Sequence, residues 1–259
     1  MKNTGYRMFA VALTALAFCS ALAQTRVIAH RGYWKTAGAA QNSVAALLKA
    51  DSIGCYGSEF DVWITKDNKL IVNHDPDIQG VSIEKNTRRA LTALKLANGE
   101  SVPTLEKYLK AAKTSAVSTK LILELKHHST PERETLAVEK ILKMVRKYRL
   151  EARTEYITFS LHAMKELIRL APKGTPVYYL NGELSPEELK ALGGAGADYH
   201  FNVFKKHPEW IDECHRLGLK VNVWTVNNTA IMRRFVDKAD FITTNEPVQA
   251  MKIINEAGK

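Results

Sequence analysis

Short β-rich runs alternate with helical patterns along this chain, and that alternation restricts the fold more than any other feature. The runs lie at 27–32, 57–65, 121–126, 157–160, 176–180, 198–202, 220–226 and 241–244, eight in all. The segments between them carry a 3.6-residue period. In 131–149, for example, Val138, Ile141, Leu142, Val145 and Tyr148 fall on one helix face. Thr130 precedes Pro131, and Glu132 and Glu134 occupy the first turn, as at a helix start. Ser185-Pro186-Glu187-Glu188 combines a capping box with proline at the first helical position. Gly193, Gly194 and Gly218 mark helix ends. Strand–helix alternation calls for parallel strands joined by right-handed crossovers. Eight such units predict an α/β fold, a (β/α)8 TIM barrel. The competing architecture is a doubly wound open sheet. That fold usually carries G-x-G-x-x-G after its first strand, and the pattern does not occur in this chain.

One unit is irregular. Lys66-Asp67-Asn68-Lys69 follows the second run and suits a hairpin turn, after which an apolar run, 70–72, leads to His74. Residues 76–102 are polar and weakly periodic, and a helix is expected over 104–113. The segment 66–102 reads as a small insertion over the barrel mouth.

Residues 1–23 hold Lys2 and Arg7, no acidic residue, an apolar run from Met8 to Ala17, and Ala21-Leu22-Ala23. This is the pattern of a secretory signal peptide cut before Gln24. The run is short of the ~20 residues of a membrane span. The alternatives are an uncleaved anchor or a buried helix, with lipid attachment at Cys19 a further option that Phe18 disfavours. Removing 23 residues from 259 leaves 236, enough for one large domain, 24–259. A secreted or periplasmic location follows, with no stable membrane insertion after cleavage. Hydrophobic residues at 46% and charged residues at 25% exclude a disordered chain. The net charge of +10, or +8 without Lys2 and Arg7, favours anionic partners. It is spread along helices such as 140–149 rather than concentrated, which argues against nucleic acid. Cys55 and Cys214 are the cysteines of the mature chain; whether they pair is open at this level.

In a barrel the chemistry sits at the C-terminal ends of the strands. The first run ends His30-Arg31-Gly32, the second carries Glu59 and Asp61, the third ends Glu124-Leu125-Lys126, and the seventh ends Trp224-Thr225-Val226-Asn227. Glu59 and Asp61, two apart, share one strand face. With Glu124 they make three oxygen donors, suited to one hard cation, Mg²⁺ or Ca²⁺. Equally, they suit ordinary ion pairs with Arg31 or Lys126. A two-residue hairpin turn at Asp67-Asn68 would set His74 opposite Asp61, ~5 Å away on the same face. His30 would come from the neighbouring strand. Two histidines beside a carboxylate-bound cation and an arginine suit phosphoryl chemistry, one imidazole taking a proton and the other giving one.

His30-Arg31-Gly32, Glu59-x-Asp61, His74-Asp75, Glu124-x-Lys126 and Trp224-Thr225-Val226-Asn227, in this order and spacing, resemble the glycerophosphodiester phosphodiesterase family. Pro103-Thr104-Leu105-Glu106 is similar to the family's segment after its insertion. The resemblance runs over about 27–250. It implies a barrel with an insertion after strand 2 and metal-dependent hydrolysis of a small-molecule glycerophosphodiester to sn-glycerol 3-phosphate and an alcohol. It implies His30 and His74 as the acid–base pair, Glu59, Asp61 and Glu124 as metal ligands, Arg31 and Lys126 on phosphate, and Trp224 against the glycerol carbons. In the implied mechanism the neighbouring glycerol hydroxyl attacks phosphorus, and water opens the cyclic phosphate. His30 would be the base and His74 the acid, or the reverse.

Two positions depart from the family. Ala40-Gln41-Asn42-Ser43 stands where Pro-Glu-Asn-Thr is common, so Gln41 removes a carboxylate. Asn245 stands where Asp is common. Competing functions are a lyase that stops at the cyclic phosphate, an enzyme of intact lipids, and a non-catalytic phosphate binder. The lipid reading needs apolar membrane-facing loops, and the insertion offers only Ile78, Val81, Ile83 and scattered leucines.

Overall fold

The computed structural model describes residues 24–114 and 119–258; the expected leader, Cys19 included, lies outside the described residues. In chain order the strands are β1 (Arg26–Ala29), β2 (Gly57–Ile64), β3 (Leu70–Val72), β4 (Asp77–Ile78), β5 (Val81–Ser82), β6 (Lys120–Leu125), β7 (Thr154–Thr158), β8 (Val177–Tyr179), β9 (Gly196–His200), β10 (Lys220–Trp224) and β11 (Phe241–Thr244). Strands β1, β2 and β6–β11 are parallel neighbours, and β1 pairs with both β11 and β2. The eight strands therefore close into a barrel without an edge, with helices between them. Strand β3 pairs antiparallel with the end of β2, and β4 and β5 form a separate hairpin.

Strand periodicity sorts β2 into two faces. Phe60, Val62 and Ile64 point out to the helices, where Phe60 meets Tyr108 with ring centroids 4.4 Å apart. Glu59 and Asp61 point in. The barrel interior is filled by Ile28, Ile122, Ile157, Tyr178, Leu180 and Phe241. At the N-terminal ends Tyr56 stacks on Phe241, and the Arg26 guanidinium lies 3.9 Å from the Tyr56 ring centre. This plug closes the barrel interior at the N-terminal ends of the strands.

The helix Pro131–Tyr148 begins as expected, with the Thr130 side chain accepting from the Arg133 N–H. It ends on Arg149 at φ 57°, whose N–H bonds to the Arg146 carbonyl while that of Leu150 bonds to the Val145 carbonyl. That is a Schellman ending with an exposed arginine where glycine is preferred. The left-handed conformation costs a side chain ~1–2 kcal/mol, and glycine's unfolded-state freedom returns part of the gain. Arg149→Gly is expected to raise Tm by about 2–4 °C, and a calorimetric melt showing no rise contradicts this.

Several boundaries differ from the sequence expectation. The fourth run is placed at 157–160, but β7 starts at Thr154. Its polar first half is buried and satisfied: inward Glu155 accepts from the Tyr56 hydroxyl at 2.5 Å, and Thr154, on the opposite face, donates to the Leu150 carbonyl. The sixth run is placed at 198–202, but β9 covers Gly196–His200 and the helix Phe201–Lys206 follows at once. Gly196 lies just before the expected run, and a Cβ there would lie 2.0 Å from the Lys220 carbonyl oxygen, so only glycine lets β10 approach. Cys55 and Cys214 are both buried and free.

The hairpin after β2 corrects the expected register. Thr65 accepts from the Asn68 N–H, Asn68 sits at φ 55°, and the Thr65 N–H reaches the Lys69 carbonyl. This is a three-residue turn with a left-handed bulge residue rather than a two-residue turn. Val62 therefore pairs with Val72, and Asp61 faces Asn73 instead of His74. The insertion packs its own core from Ile78, Ile83, Leu91 and Val102 against Trp63 and Ile71. Ile78 and Ile83 are thus buried rather than membrane-facing, while Val81 is partly exposed. Among the described residues no helix is long and apolar enough to cross a membrane.

Candidate active site

Glu59 and Asp61 on β2 and Glu124 on β6 converge because Asp61 and Glu124 are register partners. They are 2%, 1% and 7% exposed, and one oxygen of each lies within 4.8 Å of the others. Glu59 Oε2 accepts from the Arg31 N–H at 2.7 Å, but Oε1 has no hydrogen-bond partner. Asp61 Oδ2 accepts from Asn42 Nδ2 at 2.8 Å. Asp61 Oδ1 and Glu124 Oε1 have the Lys126 ammonium at 3.4 and 2.6 Å, in ion-pair range. Burial, Asp61 and Glu124 push the Glu59 carboxyl up. Burial and Asp61 push that of Glu124 up to about 8, against Lys126. Burial also opposes charge on Asp61, but Lys126, His74, Asn42 and Arg31 hold it below the usual carboxylate range. The ion pairs with Arg31 and Lys126 are present, yet they leave one buried carboxylate oxygen on Glu59 unpartnered. That donor set fits a hard divalent cation, which would be held by Glu59, Asp61 and Glu124.

The loop after β1 is shaped by left-handed residues: Arg31 at φ 58°, Gly32 at φ 76° and Asn42 at φ 60°. Gly32 is obligatory, since a Cβ would lie 2.7 Å from the Ala46 backbone. The turn aims the Arg31 N–H at Glu59 and sets the Arg31 Nε 3.9 Å from Asp61. Asn42 clamps Asp61 from both ends, its Oδ1 also accepting from the Asp61 N–H at 3.2 Å. Gln41 stays outside the carboxylate cluster and accepts from Arg31 Nη1 at 2.6 Å, orienting the guanidinium.

His30 follows β1, with Nδ1 2.8 Å from Asn245 Oδ1. Trp34 Nε1 donates to the same oxygen at 3.2 Å, which identifies it as the acceptor. His30 is therefore protonated on Nδ1, and Nε2, 4.0 Å from Glu59, is free to accept. Burial and the neighbouring Arg31 lower its pKa to about 4, so the ring is neutral at pH 7. His74 reaches the site despite the shifted register. The Asn73 N–H bonds to the Asp61 carbonyl, and Trp63 Nε1 donates to the His74 carbonyl at 3.2 Å. Its Nδ1 lies 2.7 Å from Asp75 Oδ1. Burial, Lys126 and Arg31 lower its pKa, opposed by Asp61.

Asn245→Ala is expected to lower kcat about 10–100-fold, the usual cost of losing an outer hydrogen bond that orients an active imidazole. Asn245→Asp places a carboxylate on Nδ1–H, raises the His30 pKa, and moves the acid limb of kcat/KM to higher pH. An unchanged pH–rate profile in Asn245→Asp contradicts the assigned contact.

A cavity of about 120 Å³ opens at this point. His30, Arg31, Glu59, His74 and Glu124 form one side, and Ile157, Phe159, Leu180 and Trp224 the other. Asp61 and Lys126 stand behind the first side. Trp224 is fixed edge-on to Phe159 at 5.5 Å, and its Nε1 donates to the Asp198 carbonyl at 2.7 Å. Asp198 and Thr243 also line the cavity. Asn42, the His30-orienting role of Asn245, Trp63, Phe159 and Asp198 are absent from the sequence reading. Asn42 left a trace there inside the tetrapeptide 40–43, and Asn245 as a departure from the family pattern.

Comparison with known proteins agrees with this geometry. The model of the Glycerophosphoryl diester phosphodiesterase family matches residues 30–249. The crystal structure of a glycerophosphodiester phosphodiesterase from Parabacteroides distasonis is 51% identical with a TM-score of 0.88, over 91% of this chain and 98% of that one. A glycerophosphodiester phosphodiesterase from Caldanaerobacter subterraneus is 25% identical over 91% of this chain and all of its own. An Oleispira antarctica phosphodiesterase, solved with the product sn-glycerol-3-phosphate, shares the fold at 21% identity and a TM-score of 0.77, over 90% of this chain and 97% of that one. With the barrel closed, the acidic cluster at its mouth and the match spanning most of its length, the chain belongs to the glycerophosphoryl diester phosphodiesterase family.

Proposed function

We propose that this protein hydrolyses small glycerophosphodiesters to sn-glycerol 3-phosphate and an alcohol, with His30 and His74 as the acid–base pair. The observation that carries the reading is the meeting of a buried carboxylate trio, two imidazoles and an arginine in one small cavity. Glu59, Asp61 and Glu124 would hold a divalent cation, Mg²⁺ or Ca²⁺, which would supply Lewis-acid neutralisation of phosphoryl charge.

The chain's own residues do the rest. Arg31, oriented by Gln41, faces the cavity and offsets phosphate charge. Lys126 pairs with Asp61 and Glu124 behind the cavity wall and adds positive charge to the phosphate side from there. His30 Nε2 takes the proton of the glycerol hydroxyl next to the phosphoester as its oxygen attacks phosphorus. His74 gives a proton to the departing alcohol. Water then opens the cyclic phosphate with the roles reversed. The Trp224 ring is the apolar wall for the glycerol carbons. A product complex on the same fold supports a ligand of this size.

Release of glycerol 3-phosphate from glycerophosphoethanolamine tests the reading. Turnover is expected with Mg²⁺ or Ca²⁺ and lost in EDTA. It should fall at least ~10²-fold for the analogue without the hydroxyl beside the phosphoester; equal rates for the two diesters contradict the mechanism. The leader pattern in 1–23 further supports export, tested by whether the exported protein begins at Gln24.

A further inference from the structure

We propose that Asp198, held by Asn222 and Thr243, is a specificity-determining residue that accepts a hydrogen bond from the terminal hydroxyl of the substrate's glycerol. The proposal rests on the glycerophosphodiesterase reading and adds to it the recognition of one particular hydroxyl.

Ring order places β9 directly across the barrel from β2: three barrel strands separate them in either direction. Asp198 therefore faces the cavity from the side opposite Glu59 and Asp61. Its Oδ1 accepts from Asn222 Nδ2 at 2.7 Å. Asn222 Nδ2 is also 2.8 Å from Thr243 Oγ1, and the Thr243 hydroxyl lies 3.2 Å from Asn222 Oδ1. Asp198 Oδ2 takes no hydrogen bond from the described residues, and the residue, 2% exposed, borders the cavity. A carboxylate oxygen that borders the cavity and has no protein donor is an acceptor open to a ligand hydroxyl.

Charge asymmetry orients the ligand. Arg31 lies on the carboxylate side with Lys126 behind it, whereas no cation pairs with Asp198 among the described residues. The three carboxylates outnumber these two cations, so it is with a divalent cation on the trio that the first side would attract an anionic phosphoryl group, whereas the uncompensated Asp198 would repel one. Trp224, tied to the Asp198 carbonyl, sets an apolar face beside this acceptor, matching carbons that end in a hydroxyl. The leaving alcohol points the other way. His74, its proposed proton donor, is 36% exposed at the side chain, so the head group departs toward solvent while the glycerol end lies inward. A head-group ammonium is disfavoured at Asp198 on that ground.

Two diesters with the same leaving alcohol test this, one of glycerol and one of propane-1,2-diol, which lacks only the terminal hydroxyl. They are compared at pH 8, above the pKa of about 7 to which burial pushes Asp198. Wild type is expected to favour the glycerol diester in kcat/KM by about 10²-fold or more, because a site built around a hydroxyl rejects its absence. Asp198→Ala should lose that factor on the glycerol diester, stay within ~3-fold on the other, and so abolish the preference. Asp198→Asn, which keeps the shape, and Thr243→Val, which loosens Asn222, should narrow it. A wild-type enzyme indifferent to the hydroxyl overturns the proposal without any variant, as does an equal loss on both diesters. A loss confined to aminoethyl head groups assigns Asp198 to an ammonium and overturns it too. No turnover of either diester by wild type refutes the hydrolase reading instead, which keeps the two failures distinct.

Discussion

Replacing His30 with alanine lowers kcat on glycerophosphoethanolamine by about 10²–10⁴-fold, the range that positioned acid–base groups contribute. The expectation rests on its tautomer. Asn245 holds the Nδ1 proton, leaving Nε2 unprotonated and turned toward the carboxylates. With a pKa near 4 from burial and Arg31, His30 stays ready to accept a proton across the neutral range, and the acid limb of the profile lies low. His74→Ala loses a similar factor on that substrate, but for a different reason. An alkoxide leaving group needs a proton, whereas a nitrophenolate does not. On a glycerol nitrophenyl phosphodiester, His74→Ala should therefore recover most of its rate and His30→Ala should not. The opposite pattern exchanges the two roles, and near-wild-type kcat in both variants removes the histidines from the chemistry.

The second large effect is on stability. Burial and mutual repulsion raise the Glu59 and Glu124 carboxyls above their unfolded values, Glu124 to about 8. Carboxyls raised in this way favour the fold fully below the unfolded pKa. Their contribution is lost as pH rises toward 8 and the charges appear. The metal-free protein should therefore melt lower at pH 8 than at pH 5. A divalent cation at 100 times its Kd adds ~2.7 kcal/mol, or roughly 5–11 °C at ~2–4 °C per kcal/mol. The gain should shrink at pH 5, where protons compete for the same oxygens. Glu124→Gln removes one repelling charge and one ligand, so it should raise the metal-free Tm at pH 8 and blunt the response to Mg²⁺ or Ca²⁺. Melting curves in cation and in EDTA check this. A cation-independent Tm at pH 8 contradicts the metal centre.

The barrel was legible because hydrophobic period and helix punctuation are local signals. Thr130-Pro131, the capping box at Ser185 and the end at Gly193 all occur as expected. Polar strand residues satisfied across the barrel were not legible: Glu155 needs Tyr56, 99 positions away, before Thr154–Thr158 makes sense as a strand. The site divides similarly. Glu59 and Asp61 could be placed by strand alternation alone. His74 could not, because one left-handed residue, Asn68, decides the register, and Trp63 then holds the histidine in place. Gln41 and Asn245 were visible as departures from a pattern, but their work depends on contacts with Arg31 and His30 that no spacing encodes. Asp198 lacked any signal, since its meaning comes from facing β2 across a closed ring.

A phosphorus NMR time course on glycerophosphoethanolamine with residues 24–259 and Mg²⁺ or Ca²⁺ tests the central claim most directly. The predicted result is loss of the diester resonance and growth of glycerol 3-phosphate, with any cyclic phosphate transient and no change in EDTA. An unchanged diester in the presence of both cations, or a cyclic phosphate that accumulates as the end product, would contradict it.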